Sequence, residues 1–520
     1  MANSYTSLKL SYDTAKRFVD DFHNANNAPV KYVFIGNSNA YANSDTTIPD
    51  IADNLRDEKS IWNTMFAAKR VTGNDVELVI PRVNWTANTV YKQFDDIVEI
   101  DDLITANTVL GRQPIYVFTS EGNVYKCLCN NVSANSTVEP TGDYNSSNGF
   151  IYTADDYVWK YMYNVRDSNK FLTDDWVPAP ASTAALEYSM SNVNLVDGAL
   201  AKIVVTSSGT GYIDSNVNVS AYSTGTATIT GLSDMANVAN NMLVIGTGIV
   251  SGTYVADFSI GTNSIVLSAK TFAAGGAANN QIQLKTRVVV DGDGDDDIVA
   301  SAVLANTQVR KIVVSTVGTN YSRANVTIYG TGSGANARAV LPPKLGHGYN
   351  PARELGGKNV MIVKKIGEVD STESGLISDN TTFRQYGLLS FPNKYGETTA
   401  ITLEDANTVI SQTTDVDLTA GSLYSLNEVV YQGQSFSEAT FTAVVHAQTT
   451  NTVRLTNVKG EITIGGYLKG DTSLVQNRAV QSVSNPEFEP YTGDILFVQN
   501  ALPVSRYEGQ AENIKFVIKF

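Results

Sequence analysis

Two cysteines, three histidines and a charged fraction of only 17% leave this 520-residue chain short of the usual catalytic vocabulary. Cys127 and Cys129, in C-L-C, exclude a disulfide framework and a four-cysteine zinc site. Their spacing places them on one face of a strand as two reduced thiols. His23, His347 and His446 lie far apart in sequence, and no two form a ligand-spaced pair. His347, in G-H-G-Y-N-P, reads as a turn histidine donating to backbone. No G-x-S-x-G, G-x-x-x-x-G-K-[ST] or H-E-x-x-H occurs. No catalytic set, cofactor site or metal site is therefore expected, and the chain reads as a non-enzyme.

Positive charge is also scarce. Lys and Arg number 37 against 52 Asp and Glu, for a net charge of −15. A surface of that sign repels phosphates, so nucleic acid is not an expected partner. No window approaches the 18 apolar residues of a membrane span, and MANSYTSLKL has no apolar signal core. The expectation is a chain made in a cytoplasm, with no membrane partner.

What is abundant is Ser, Thr, Asn and 39 glycines, a mix that favours strands and tight turns. The expected fold class is mainly β and multidomain. An N-terminal α/β part is followed by antiparallel β-sandwich or barrel domains with inserted β modules. The length alone predicts three or more domains. Asp13 is expected to cap a helix carrying Ala15, Phe18, Val19 and Phe22 at helical spacing. Lys31–Ile35 reads as a buried strand closed by Gly36, Asp57–Arg70 as a second helix, and Val76–Ile80 as a strand stopped by Pro81. The stretches 116–130 and 156–165 are strand-like.

After about residue 195 helical periodicity gives way to short Val/Ile/Thr runs between Gly/Asn/Ser turns. An internal repeat organises this region. Lys202-Ile-Val-Val-Thr-Ser-Ser-Gly-Thr-Gly-Tyr212 matches Lys311-Ile-Val-Val-Ser-Thr-Val-Gly-Thr-Asn-Tyr321, and Asn216-Val-Asn-Val219 matches Asn325-Val-Thr-Ile328. The second copy runs on through G-T-G-S-G to Leu341. The missing half of the first copy reappears at Val288 and ends at Leu304, with Gly292 and Gly294 falling on Gly330 and Gly332. Repeat one is thus split by an insertion. The expected domains are 1–195 (N-terminal α/β and β core), 196–222 with 286–342 (split repeat) and 223–285 (nested module). The remainder is 343–404 with 486–520 (the C-terminal part of the core) and 405–485 (an inserted small barrel).

Asp291 to Asp297 reads D-G-D-G-D-D-D, five carboxylates and two glycines within seven residues. Asp291, Asp293 and Asp295 have the spacing of a calcium loop. Asp296, however, holds the glycine slot of an EF-hand, and Ala302 stands where its bidentate Glu belongs. The repeat makes the stretch a turn instead, its glycines serving the turn and its carboxylates an exposed position. The strand at Tyr157, Trp159, Tyr161 and Tyr163 is dense in aromatics, which suits a core or a subunit interface.

In order along the chain, Ile80-Pro-Arg-Val-Asn-Trp85, Tyr125-Lys-Cys-Leu-Cys129, Thr137-Val-Glu-Pro140 and Asp156-Tyr-Val-Trp-Lys-Tyr161 resemble a baseplate wedge subunit of T4-like contractile-tail phages, the product of gene eight. Phe383-Arg-Gln385, Pro392, Gly493-Asp-Ile-Leu-Phe497 and Asn513-Ile-Lys-Phe-Val-Ile-Lys-Phe520 continue the resemblance. Gly346-His-Gly-Tyr-Asn-Pro351 with Glu354-Leu-Gly-Gly357 is similar to cyanophage-type versions. The chain departs from the family at Asn37 and Tyr41, where Arg and Trp are usual. The resemblance implies a structural subunit of the virion tail baseplate that forms a homodimer and contacts other wedge proteins. Arg82, Trp85, Tyr157, Trp159, Tyr161 and Tyr163 are the interface candidates. The alternative is a host-surface or glycan-binding tail protein, with the inserted modules facing the receptor.

Overall fold

The computed structural model describes residues 7–24, 28–143, 149–180, 196–275, 281–295, 297–367, 377, 379–507 and 509–520. Asp296, in the acidic stretch, lies outside them. The fold is mainly β, with several antiparallel sheets, as the composition predicts. The chain divides into two compact units, one of Met1–Tyr12 with Val79–Lys358 and one of Asp13–Leu78 with Asn359–Phe520.

The first helix spans Leu8–His23, so Asp13 lies inside it rather than capping it. Leu8 and Tyr12 are buried along with Ala15, Val19 and Phe22. They extend the apolar stripe at three- and four-residue spacing beyond the start that the later residues indicate.

In the first unit, a four-stranded sheet runs in the order Tyr116–Phe118, Asn123–Asn130, Tyr157–Asn164, Phe150–Tyr152. The central pair carries bulges at Val124/Tyr125 and at Cys127/Cys129. The second bulge sets Trp159 opposite Cys127 and Val158 opposite Cys129. Trp159 and Val158 are neighbours on alternating faces, so the two thiols lie on different faces. The expectation of one shared face fails because a bulge resets the two-residue period.

The split repeat forms a six-stranded sheet ordered Ile203–Thr210, Ser333–Ala339, Ala324–Tyr329, Arg287–Gly292, Val299–Ala305, Gln308–Thr316. The order is palindromic in repeat terms. The leading strand of each copy pairs with the trailing strand of the other, and the two middle strands pair at the centre, Val290 opposite Val326. The two copies are therefore interlocked rather than side by side. The first and last strands also lie against each other, curling the sheet nearly into a barrel.

The nested module has its own core of Ile229, Met242, Val244, Val255, Ile265, Ile282 and Leu284, each almost fully buried. Its boundary falls at Asp214, whose carboxylate accepts from the Thr286 backbone N–H at 2.6 Å across the neck. Ser215–Asn218 pairs with Gln281–Lys285 inside the module. The likeness of Asn216–Val219 to Asn325–Ile328 is thus not a structural equivalence; Arg287–Gly292 takes the corresponding place.

In the second unit, a five-stranded sheet runs Val409–Ser411, Met65–Arg70, Lys31–Gly36, Thr381–Ser390, Asp494–Arg506. All six residues of Lys31–Gly36 are buried. The second helix covers only Leu55–Thr64, capped by Asn54, and Met65–Arg70 is a strand. The apolar run 65–68 reads equally as helix or strand. Pairing with Lys31–Gly36 on one side and Val409–Ser411 on the other decides it. Asn359–Ile366 pairs with Glu512–Lys519 over its whole length.

Strands between Thr414 and Ser484 close into a six-stranded barrel. Phe441, Ala443 and Val445 help fill its core. His446, on the other face of the same strand, stacks on Phe66 at 3.9 Å. Both its ring nitrogens are buried without a hydrogen-bond partner among the described residues. Burial, with Arg454 and Arg506 nearby, pushes its pKa from 6.5 down to about 3. The unfolded chain takes up a proton here as pH falls below 6.5 while the folded chain does not. Stability is therefore lost as pH falls from 6.5 toward 3. His446→Phe should keep the aromatic stack and remove that dependence: its urea midpoint should fall less than the wild type's between pH 7 and pH 4.

Candidate functional site

Four of the six interface candidates are interior. Tyr157, Trp159 and Tyr161 share a cluster with Tyr91 and Tyr125, and Tyr163 is fully buried opposite Val124. Tyr157 stacks on Trp159 at 5.4 Å, Tyr91 meets Trp159 edge-on at 5.5 Å, and the Tyr157 hydroxyl donates to the Ala134 carbonyl. Arg82 and Trp85 are half-buried. The Arg82 guanidinium donates to Asn84 and to the Thr173 carbonyl and lies over the Phe118 ring, while Trp85 Nε1 donates to Ser136 Oγ at 3.2 Å. The aromatic strand thus organises a core, and only these two retain surface.

The side chains brought together elsewhere in this unit are ones that sequence patterns do not flag. Lys126, on Asn123–Asn130, is 1% exposed. Its ammonium donates to Glu354 Oε2 at 2.8 Å and meets His347 Nδ1 at 3.1 Å. It also lies 4.1 Å from the centre of the Phe94 ring, which His347 meets edge-on. Glu354 Oε1 accepts from the backbone N–H groups of Gly348 and Asn350. It therefore ties the G-H-G-Y-N-P turn to the sheet. The turn feeds a one-turn helix, Pro351–Glu354, capped by the Asn350 side chain.

Burial pushes the Glu354 carboxyl up, but the Lys126 ammonium brings it down to about 2. Burial and Lys126 push His347 down to about 4, so the ring is neutral. His347 Nδ1 stands 3.7 Å from Glu354, too far for a hydrogen bond, and accepts from Lys126 instead. The expected donation from His347 to backbone is therefore replaced by a buried side-chain contact. Lys160, on the neighbouring strand, has its pKa lowered to about 8 by burial. Such a set can bind an anion or move a proton, but its direct effect is to hold one turn on one strand.

The acidic stretch is a clamp. Asp293 accepts from the backbone N–H groups of Ser322 and Arg323 and from the Ser322 hydroxyl. Asp295 accepts from Thr319 and Asn320, and Asp297 from the Thr319 N–H. Hydrogen bonds led by the Ser322 hydroxyl hold Asp293 down at about 2. The sister turn does the same job with a hydroxyl: Thr331 Oγ1 accepts from the Ile213 N–H at 2.9 Å. Ile213 and Ser322 each follow the matched tyrosine of their repeat copy.

The glycines have a different cause from the one expected. None of Gly292, Gly294, Gly330 and Gly332 has positive φ. A Cβ on Gly294 would come within 2.5 Å of the Tyr321 ring, and one on Gly332 within 2.4 Å of the Tyr212 ring. They are seats for aromatic rings.

Because these carboxylates already hold protein donors, millimolar Ca²⁺ should leave the melting temperature unchanged. A rise in melting temperature that Asp293→Ala removes would contradict the clamp. Among the described residues, no group of three or more His, Cys, Asp or Glu is placed to hold a metal ion, and no helix is long and apolar enough to cross a membrane. Compared with protein-family models and with curated proteins, the chain matches none.

Proposed function

We propose that this chain is a structural subunit of a contractile-tail baseplate wedge that works through protein–protein interfaces rather than by catalysis. The observation that carries the reading is where the resembling segments fall. In the first unit, Tyr125–Cys129 and Asp156–Tyr161 are paired strands. Trp85 bonds to Ser136, and Asp155 accepts from the Thr137 and Val138 backbone. Val83 and Trp85, Tyr125 and Cys127, and Tyr157 to Tyr161 thus bring three of the stretches into one core, and the fourth is tied to its edge through Asp155. In the second unit, Phe383–Gln385 and Gly493–Phe497 lie along one strand pair, and Phe497 stacks on Phe516 of the terminal segment at 4.7 Å. The nested module and the barrel, which have no counterpart in the resemblance, each carry a separate core.

The surface fits an assembly role. Val109 is 92% exposed beside Leu110 at 60%, at the tip of the Asn107–Arg112 turn, and Ile97 is 76% exposed. Adjacent apolar side chains left in solvent mark contact sites more often than isolated ones do. An obligate contact of this kind buries on the order of 2,000 Å² or more. The subunit would hold its neighbours in one arrangement until the tail is triggered.

The test is the sedimentation mass of the purified chain, together with its action on host surface polysaccharide. The proposal expects twice the 56.0 kDa chain mass and no binding or cleavage. A trimer that binds or cuts polysaccharide would replace it with the receptor-binding reading.

A further inference from the structure

A cavity of about 570 Å³ lies over the Lys126–Glu354 pair and has no part in the function proposed above. Its volume is within the range of small-ligand sites, roughly 300–1,000 Å³. Phe94, Leu103, Ile115, Leu341 and the Pro342–Pro343 pair provide apolar walls. Buried Lys126 and Glu354, hydrogen-bonded to each other, form a polar floor.

The charges around the opening are lopsided. Asp95 and Asp96 are both engaged by the Arg338 guanidinium, and Glu354 is engaged by Lys126 and two backbone amides. The cations Lys9, Lys344 and Arg353 line the same cavity, are exposed, and have no side-chain hydrogen bond or ion pair among the described residues. In a chain of net charge −15, three uncommitted cations around one apolar hollow reverse the local field. Such a concave site concentrates anions. Its apolar walls favour an attached apolar body that leaves water on binding.

We infer that this cavity is a binding site for an amphipathic carboxylate, with its apolar body against Phe94, Leu341 and the Pro342–Pro343 pair and its anion at the Lys9–Lys344–Arg353 opening. That chemistry is offered by a free organic acid or by the C-terminal residue of another polypeptide. A doubly charged, fully polar anion does not suit the walls, and a neutral apolar molecule does not use the cations.

The probe is 8-anilinonaphthalene-1-sulfonate, an apolar-bodied anion whose fluorescence reports burial. It is titrated into the full chain alongside the neutral dye N-phenyl-1-naphthylamine. The expected result is one saturable site whose affinity for the anionic dye falls about tenfold in Lys344→Glu/Arg353→Glu. The neutral dye should bind that variant as it binds the wild type. Leu341→Trp, which fills the wall, should weaken both dyes. The inference is overturned if charge reversal leaves anionic-dye binding unchanged, if it weakens both dyes equally, or if Leu341→Trp affects neither. Competition then separates the sources. Displacement by octanoate alone assigns a free acid. Displacement by a leucine-ending peptide, but not by its C-terminal amide, assigns a chain terminus. Displacement by neither overturns the carboxylate assignment.

Discussion

Lys126→Met is expected to destabilise the first unit by about 3–5 kcal/mol, the cost of removing one partner from a buried ion pair. Glu354 is 8% exposed and is brought to about pKa 2 chiefly by that ammonium. Without it the carboxylate must ionise in an apolar pocket or take up a proton at neutral pH. Either way, the Gly348 and Asn350 amides lose a charged acceptor or keep one that is badly solvated. Lys126→Met/Glu354→Gln should recover much of the loss, because an amide oxygen still accepts from both N–H groups with no buried charge. Denaturant unfolding of the two variants measures the difference. A single variant as stable as wild type would mean that the pair is solvated and the turn is held by something else.

Gly332→Ala and Gly294→Ala should each cost about 1–3 kcal/mol or more, the range for forcing atoms into a filled site. On Gly332 the new methyl would meet both the Thr210 carbonyl oxygen and the Tyr212 ring at 2.4 Å. On Gly294 it would meet Thr319 O at 2.6 Å and the Tyr321 ring at 2.5 Å. Neither a backbone carbonyl nor a ring that is 3% exposed can move aside cheaply. The two costs should be similar, since the sites are equivalent halves of an interlocked repeat. Gly261→Ala is the control: its Cβ would meet nothing within 4 Å. It should change stability by no more than about 0.5 kcal/mol. Thermal melts compare the three, and a Gly294→Ala melt matching Gly261→Ala would remove the ring-seat explanation.

Much of the architecture was legible from residues. The composition indicates a mainly β chain, Lys31–Ile35 reads as a buried strand, and the half-repeats match across an insertion. The misreadings have identifiable causes. Met65–Arg70 is ambiguous as a pattern, and only strands distant in sequence settle it. The cysteines separate because a bulge, invisible in C-L-C, breaks the alternation. The acidic stretch looked merely exposed because its partners, Thr319 to Arg323, lie more than twenty residues downstream.

The buried Lys126 cluster was the least legible. A lysine inside N-V-Y-K-C-L-C-N carries no mark of burial, and its partner Glu354 is 228 residues away. The aromatic strand reads as core or interface, and its rings are interior. Of the six candidates, Arg82 and Trp85 keep partial exposure.

The wedge-subunit account is tested most directly by mixing the purified chain with the other wedge components of its own particle and following sedimentation velocity. The account predicts that the chain leaves its own boundary and moves into a single faster complex of fixed stoichiometry, which charge changes at the Lys9–Lys344–Arg353 cavity leave intact. A chain that sediments unchanged beside those components would contradict it.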